Sequence, residues 1–215
     1  MTKTGSPEFI GGIACLDFAN TRDGRATGHP TEYLHAYADL LRWAGDAGLL
    51  DAATARRLAT TAPAAAEAAL RTALDLREAI FRVFAAVGRG GRPIAADLAV
   101  LQRGYTAAMA AGRLAPDGTG FGWEFGGDDP DRAWWPVAVS AAGLLTIGPV
   151  ERVKVCAAEA GCIGLFLDTS KNRSRRWCSM DTCGVEAKVQ RQATRRRAAR
   201  APADDRKGVS SSGRH

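Results

Sequence analysis

The sequence predicts a mainly α fold. A helical N-terminal domain with one small β-hairpin spans residues 1–149. A small four-cysteine module with short strands and a basic helix follows at 150–201, then a disordered tail at 202–215. Three observations carry this reading. Apolar residues recur at three- and four-residue spacing through much of the first half. Four of the five cysteines fall between residues 156 and 183. The charge is also divided unequally: residues 1–149 hold 14 Lys+Arg against 16 Asp+Glu, whereas residues 150–215 hold 15 against 7. At 215 residues the chain is long enough for one good core plus a small module.

The elements follow in order. The apolar run Ile13–Ala19, ended by Asn20, Arg22, Asp23 and Gly24, reads as a short element closed by a turn. Thr31 is the expected N-cap of a helix with Leu34, Tyr37, Leu41 and Ala44 at helical spacing, stopped by Gly45 and Gly48. Asp51 precedes a short helix through Leu58, and Pro63 opens a long one carrying Leu70, Leu74, Arg77, Phe81, Phe84 and Val87. After RGGRP, Pro93 begins a helix to about Ala111, with Leu98, Leu101, Tyr105 and Met109 on one stripe. LAPDGTGFGWEF reads as a β-hairpin, and a helix from about Pro136 to Leu145 follows the acidic loop GGDDPD. Gly148 and Pro149 break the chain where the charge changes sign. Residues 151–155 and 163–167 read as two short strands, and a last helix runs from near Ser179 or Met180 to about Ala201.

The four clustered cysteines are Cys156, Cys162, Cys178 and Cys183, two close pairs separated by fifteen residues. Such a set can surround one zinc ion, which is tetrahedral and sulfur-tolerant. Free core thiols and a disulfide framework are the competing readings. The start of the chain has no charged segment followed by a long apolar run, as a secretion signal would. No stretch approaches the ~18 apolar residues of a membrane span. A cytoplasmic location is therefore expected, where paired cysteines serve as metal ligands more often than as disulfides. Five and four residues intervene within the pairs, looser than the usual two to four. Cys15, far from the others, reads as an inert buried thiol.

The basic third of the chain implies an anionic partner, and on charge alone DNA, RNA and anionic lipid all qualify. In the last helix Lys188, Arg191 and Arg195 fall within roughly a 60° arc, close enough to track one phosphate strand; Arg196 lies beside them. A second basic run, Lys171, Arg173, Arg175 and Arg176, precedes Cys178. The bland reading of both is a solvated surface. Trp177 can stack on a base or pack beside the metal. In LDFANTRDG, the polar groups Asp17, Asn20, Thr21 and Arg22 either close a turn locally, line a ligand pocket, or contact the cysteine module. No catalytic constellation is present: there is no G-x-S-x-G, H-E-x-x-H or phosphate loop. The acidic loop lacks calcium-loop spacing and reads as a solvated turn.

LDFANTR near the N-terminus, with VKVC, GLFLDTSKNRSRRWCSMDTCG and Lys188 near the C-terminus, resembles the CGNR zinc-finger family of bacterial transcription regulators. The N-terminal part of that family is called the ABATE domain. The resemblance implies that the four cysteines hold one structural zinc, that the C-terminal module binds DNA, and that the helical N-terminal domain has a regulatory, stress-related role with an effector of unknown identity. One departure falls on the motif that names the family: Val185-Glu186 stands where Asn-Arg is expected. The first cysteine pair also holds one residue more than the family pattern. The expected function is a zinc-containing, DNA-binding transcription regulator without catalytic activity. The alternative is a ligand-binding or interaction protein whose finger is purely structural.

Overall fold

The computed structural model describes residues 6–158 and 161–200, the last four as backbone only. The expected disordered tail at 202–215 lies outside the described residues. Helix α4 (Pro63–Gly88) is the central element, and α1 (Ala14–Ala19), α2 (Tyr37–Asp46) and α5 (Ala95–Ala111) pack on it. Helix α6 (Trp135–Thr146) closes the bundle against α1 and α5, and α3 (Ala52–Leu58) flanks α2. Phe18, Leu40, Leu58, Leu76, Ile80, Phe84 and Trp134 form the fully buried centre. The starts obey capping rules where the sequence carries the right residue: the Asp51 carboxylate accepts from the Thr54 backbone N–H and hydroxyl at 2.8 and 2.7 Å, and Pro63 occupies the first turn of α4.

Among the described residues, three two-stranded antiparallel ribbons decorate the bundle. Strands β1 (Arg22–Asp23) and β2 (Thr31–Glu32) pair first, then β3 (Gly112–Asp117) with β4 (Gly120–Phe125), then β5 (Val153–Val155) with β6 (Leu165–Leu167). Thr31 therefore begins a strand rather than a helix. Helix α2 starts six residues later, because Asp39 supplies its cap by accepting from the His35 and Ala36 amides at 2.9 Å each. The strand is held by Glu32, whose carboxylate takes both Arg77 Nη groups at 2.6 and 2.7 Å. Arg77, placed by periodicity among apolar positions of α4, is indeed inside the fold, as an ion-pair anchor rather than a hydrophobe.

The third ribbon departs most from a two-body architecture. Val153 and Leu165 belong to the main core, with Val155 and Leu167 packed against it. Phe166, between the two leucines, belongs to a second cluster with Cys156, Cys178 and Cys183. Alternation along a strand sends neighbouring side chains to opposite faces, so one face of β6 serves the helical bundle and the other the cysteines. A Cβ on Gly88 would meet Val155 at 3.3 Å, so α4 ends on a glycine that lets β5 cross closely. Packing is thus continuous across residue 150, although the charge is not.

On α5 the buried positions are Asp97, Leu101, Gly104 and Ala108, whereas Leu98 and Tyr105 are exposed. The expected stripe is offset from the core-facing arc because small residues fill that arc. Asp97 is buried through its pairing with Arg82 at 2.6 Å. The acidic loop is an ordered turn: Asp129 accepts from the Asp131 amide at 2.9 Å, and Asp131 accepts from Trp134 Nε1 at 3.0 Å. No helix among the described residues is long and apolar enough to cross a membrane.

Candidate metal centre and nucleic-acid interface

The β5–β6 ribbon delivers Cys156 just past its first strand, and Cys162 just before its second. Cys178 precedes a wide helical turn, Met180–Gly184, which contains Cys183 and runs directly into α7 (Val185–Arg200). That turn is capped by Ser179, whose hydroxyl accepts from the Thr182 amide at 3.3 Å. The four Sγ atoms lie within 4.8 Å of one another. Cys178 Sγ is 3.6 Å from Cys162 Sγ and 3.7 Å from Cys183 Sγ. Tetrahedral zinc with ~2.3 Å bonds separates its sulfurs by about 3.8 Å. A disulfide needs ~2.05 Å. The donor set fits zinc in number, softness and spacing.

Thiols this crowded do not ionise independently. Hydrogen bonds from Cys162 and Cys178 pull Cys156 down, and its sulfur also accepts from the Cys178 amide at 3.4 Å. Its ionisation pushes both Cys162 and Cys178 up. A bound zinc ion supplies the positive charge that keeps all four as thiolates. Cys15 is separate: it is buried in the main core, and burial raises it to about 12.

Around the sulfurs lies a polar frame that sequence reading did not identify. Lys154 donates to Asp168 at 2.6 Å and to the carbonyls of Arg173 and Arg175. Asp168 is fully buried and also accepts from the Ser170 amide and hydroxyl and from the Arg175 amide. Burial alone would raise its carboxyl, but the Lys154 ammonium and Ser170 donors hold it well below the usual range. The available signal was the Asp168-Thr-Ser170 run after an apolar strand, a local side-chain-to-backbone turn signature.

The basic residues divide by role. Arg175 turns inward: it lies 4.6 Å over the Phe166 ring and donates to the Trp177 and Cys178 carbonyls. It clamps the second cysteine pair. Trp177 packs on the cysteine cluster, with Arg176 and Arg191 over its ring at 5.5 and 5.6 Å. Lys171, Arg173, Arg176, Lys188, Arg191, Arg195 and Arg196 are all exposed. Arg173 adopts φ +51°, and its side chain reaches Glu151 at 3.4 Å.

The LDFANTR residues also separate. Asn20 bonds Leu165 twice, donating to its carbonyl at 2.8 Å and accepting from its amide at 2.9 Å. Asp17 accepts from the Gly11 amide at 2.6 Å, and the Gly11 carbonyl accepts from the Leu167 amide at 2.8 Å. A Cβ on Gly11 would lie 2.7–2.8 Å from Leu16 and Asp17, so only glycine fits this bridge. Thr21 is buried, donating to the Phe18 carbonyl and accepting from Arg77. Arg22 reaches Glu78 at 3.8 Å and, with Asn20 and Arg25, lines a cleft of ≈ 470 Å³ whose other wall includes Asp181, Val185 and Glu186.

Two measurements test this geometry. Cys178→Ser with Cys183→Ser should abolish zinc binding, read by metal analysis, while leaving the helical circular-dichroism signal of α1–α6; zinc retained by the double variant contradicts the assignment. Asp17, raised to about 6 by burial against its Gly11 bond, binds its proton more tightly folded than unfolded. Its contribution is therefore full below pH ~4 and lost as pH rises through about 6. Asp17→Asn keeps the acceptor and removes the titration, so denaturant melts should show the wild type losing stability relative to the variant between pH 4 and pH 7. An unchanged difference between the two contradicts a buried, raised Asp17.

Comparison with known families matches these features. Residues 12–148, more than half of the chain, match the ABATE family, described as "Putative stress-induced transcription regulator". Residues 152–196 match the CGNR zinc finger. No curated protein matches the chain. Cys156, Cys162, Cys178 and Cys183 fall inside the matched finger and supply the site for one structural zinc. A helical bundle, a four-sulfur site and a basic helix thus meet in one polypeptide, which belongs to the ABATE family of transcription regulators and carries a CGNR zinc finger at its C-terminal end.

Proposed function

We propose that the chain is a DNA-binding transcription regulator whose finger reads DNA under the control of an effector bound by the N-terminal domain. The observation that supports it best is the condition of α7. This helix is rich in charge, with Val185 and Val189 as the only large apolar side chains among its described ones, both exposed, and its main packing partner is the Met180–Gly184 turn that precedes it. Two exposed valines make too narrow an apolar strip to join a core. Its charge suits phosphate: Lys188, Arg191 and Arg195 share one exposed face, with Arg196 beside them. Arg176 joins that face through Trp177, which it shares with Arg191. Lys171 and Arg173 extend the basic surface, while Arg175 is committed to the zinc module and is left out. Both matched families are regulator and zinc-finger families, and the reading is non-enzymatic and cytoplasmic.

Effector control is drawn from the cleft. A small molecule there would touch Asn20, Arg22 and Arg25 on the bundle side and the first turn of α7 on the other. Asp17 and Thr21 would support its wall through their buried bonds rather than contact it. Differential contact with two positions of α7 is what couples an effector to DNA.

One observation favours the competing reading of a structural-only finger. Asp181 is exposed in the capped turn, and Glu186 is exposed in the first turn of α7. Carboxylates there stabilise the helix dipole by ~0.3–1 kcal/mol but oppose a phosphate. Fluorescence anisotropy with duplex DNA over a salt series separates the readings. On the DNA-binding reading, Lys188→Ala, Arg191→Ala and Arg195→Ala each weaken binding on all sequences and flatten the salt slope by about one unit. Val185→Asn with Glu186→Arg tightens binding at low salt, and the gain shrinks as salt rises. Equal affinity of wild type and the triple alanine variant at low salt would remove α7 as the DNA surface.

A further inference from the structure

We propose that the β3–β4 ribbon is a dimerisation arm, and that with the outer stripe of α5 it forms a two-fold interface with a second copy of this chain. The ribbon has two unlike faces. One carries the cross-strand pairs Arg113–Glu124, an ion pair at 2.9 Å, Ala115–Gly122 and Asp117–Gly120. The other carries Gly112–Phe125, Leu114–Trp123 and Pro116–Phe121. Only the base of this apolar face is covered: Phe125 is buried, 5.7 Å from Trp135, and the Trp123 ring leans over Gly112. At ~3.4 Å per residue the tip pair lies about 14 Å farther out, with Leu114 64% and Phe121 79% exposed. The face that enters the core at its root therefore continues past the body uncovered.

Helix α5 leads straight into β3 and carries exposed apolar residues of its own. Leu98 and Tyr105 stand two turns apart on one side of it, and Ile94 precedes them by one turn; all three are exposed. Six of the eleven exposed large apolar side chains among the described residues thus lie in this stripe and the arm. That concentration is what selects the region over scattered surface hydrophobes.

A second copy is the occupant that fits the dimensions. At roughly 100 Å² per side chain the six offer about 600 Å² per copy. A standard interface takes ~800 Å² per partner, and the polar rim supplies the remainder. Both outer edges of the arm lack a strand partner among the described residues, and a lone two-stranded ribbon is marginal in water. Two arms related by a two-fold axis bury the same apolar face against itself, which supplies the packing that a lone ribbon lacks. The pairing also gives a dimer two copies of α7, one for each half-site of a two-fold DNA element.

Sedimentation velocity of the full zinc-loaded chain without DNA, from about 1 to about 100 μM, tests this directly. The expected result is a concentration-dependent dimer. Leu114→Glu with Phe121→Glu, both already exposed, should weaken self-association about 30-fold or more with zinc content and helical signal unchanged. Val189→Glu on α7 should leave the dimer intact. A wild type monomeric throughout the range overturns the proposal and leaves the face for a different protein or for none. A dimer that survives the arm variant, or that Val189→Glu dissolves, shows that the copies meet elsewhere and overturns it equally.

Discussion

Six residues in two short strands hold the whole arrangement together. Val153, Val155, Leu165 and Leu167 face the helical bundle, while Lys154 and Phe166, paired across the ribbon, face the zinc module. Burying Val153 and Leu165 stabilises the docking by roughly 1.5–3 kcal/mol each, and the half-buried Val155 and Leu167 add less. A structural zinc contributes apparent free energy of ~10–16 kcal/mol to ordering its own loops. The two anchors share one thin sheet. The metal loops are thus built outward from a surface that belongs to the other core.

The polar groups make sense in that frame. The free edge of β6 would expose unpaired backbone groups to a buried seam, which is costly. Asn20 satisfies Leu165 and the Gly11 carbonyl satisfies Leu167, so the LDFANTR segment and the chain just before it act as a substitute strand. On the outer side, Lys154 and Asp168 tie the ribbon to the loop that presents Arg173 and Arg175. The cleft lies at this junction, bordered by Asn20 and by the first turn of α7. On the proposed reading, an effector there would sit at the seam between the bundle and the module that carries the basic helix.

Legibility in the sequence followed the range of the interaction. The four cysteines stood out because metal spacing is a local pattern, and α4 because many turns of periodicity reinforce one another. The start of α2 was misplaced, because Thr31 is as good a cap as Asp39 until Glu32 is seen bonded to Arg77 across the fold. Leu98 and Tyr105 satisfied a helical stripe and yet lie outside the core; periodicity reports that a face is apolar, not what covers it. Arg175 looked like its basic neighbours, and only the Phe166 ring beneath it distinguishes a clamp from a surface charge. Asn20 was legible as unusual but not as a strand surrogate, since its partner is 145 positions away.

On this packing, the β5–β6 ribbon belongs to the helical core whether or not metal is bound. Residue-resolved amide exchange of the full chain, zinc-loaded and after chelation, tests it most directly. The amides of Ala157 and Gly184, bonded only within the metal loops, should lose protection when zinc is removed. Those of Leu165 and Leu167, bonded to Asn20 and Gly11, should keep protection comparable to the middle of α4. Loss of protection at Leu165 and Leu167 together with Ala157 would show the ribbon leaving with the metal, and would contradict the account.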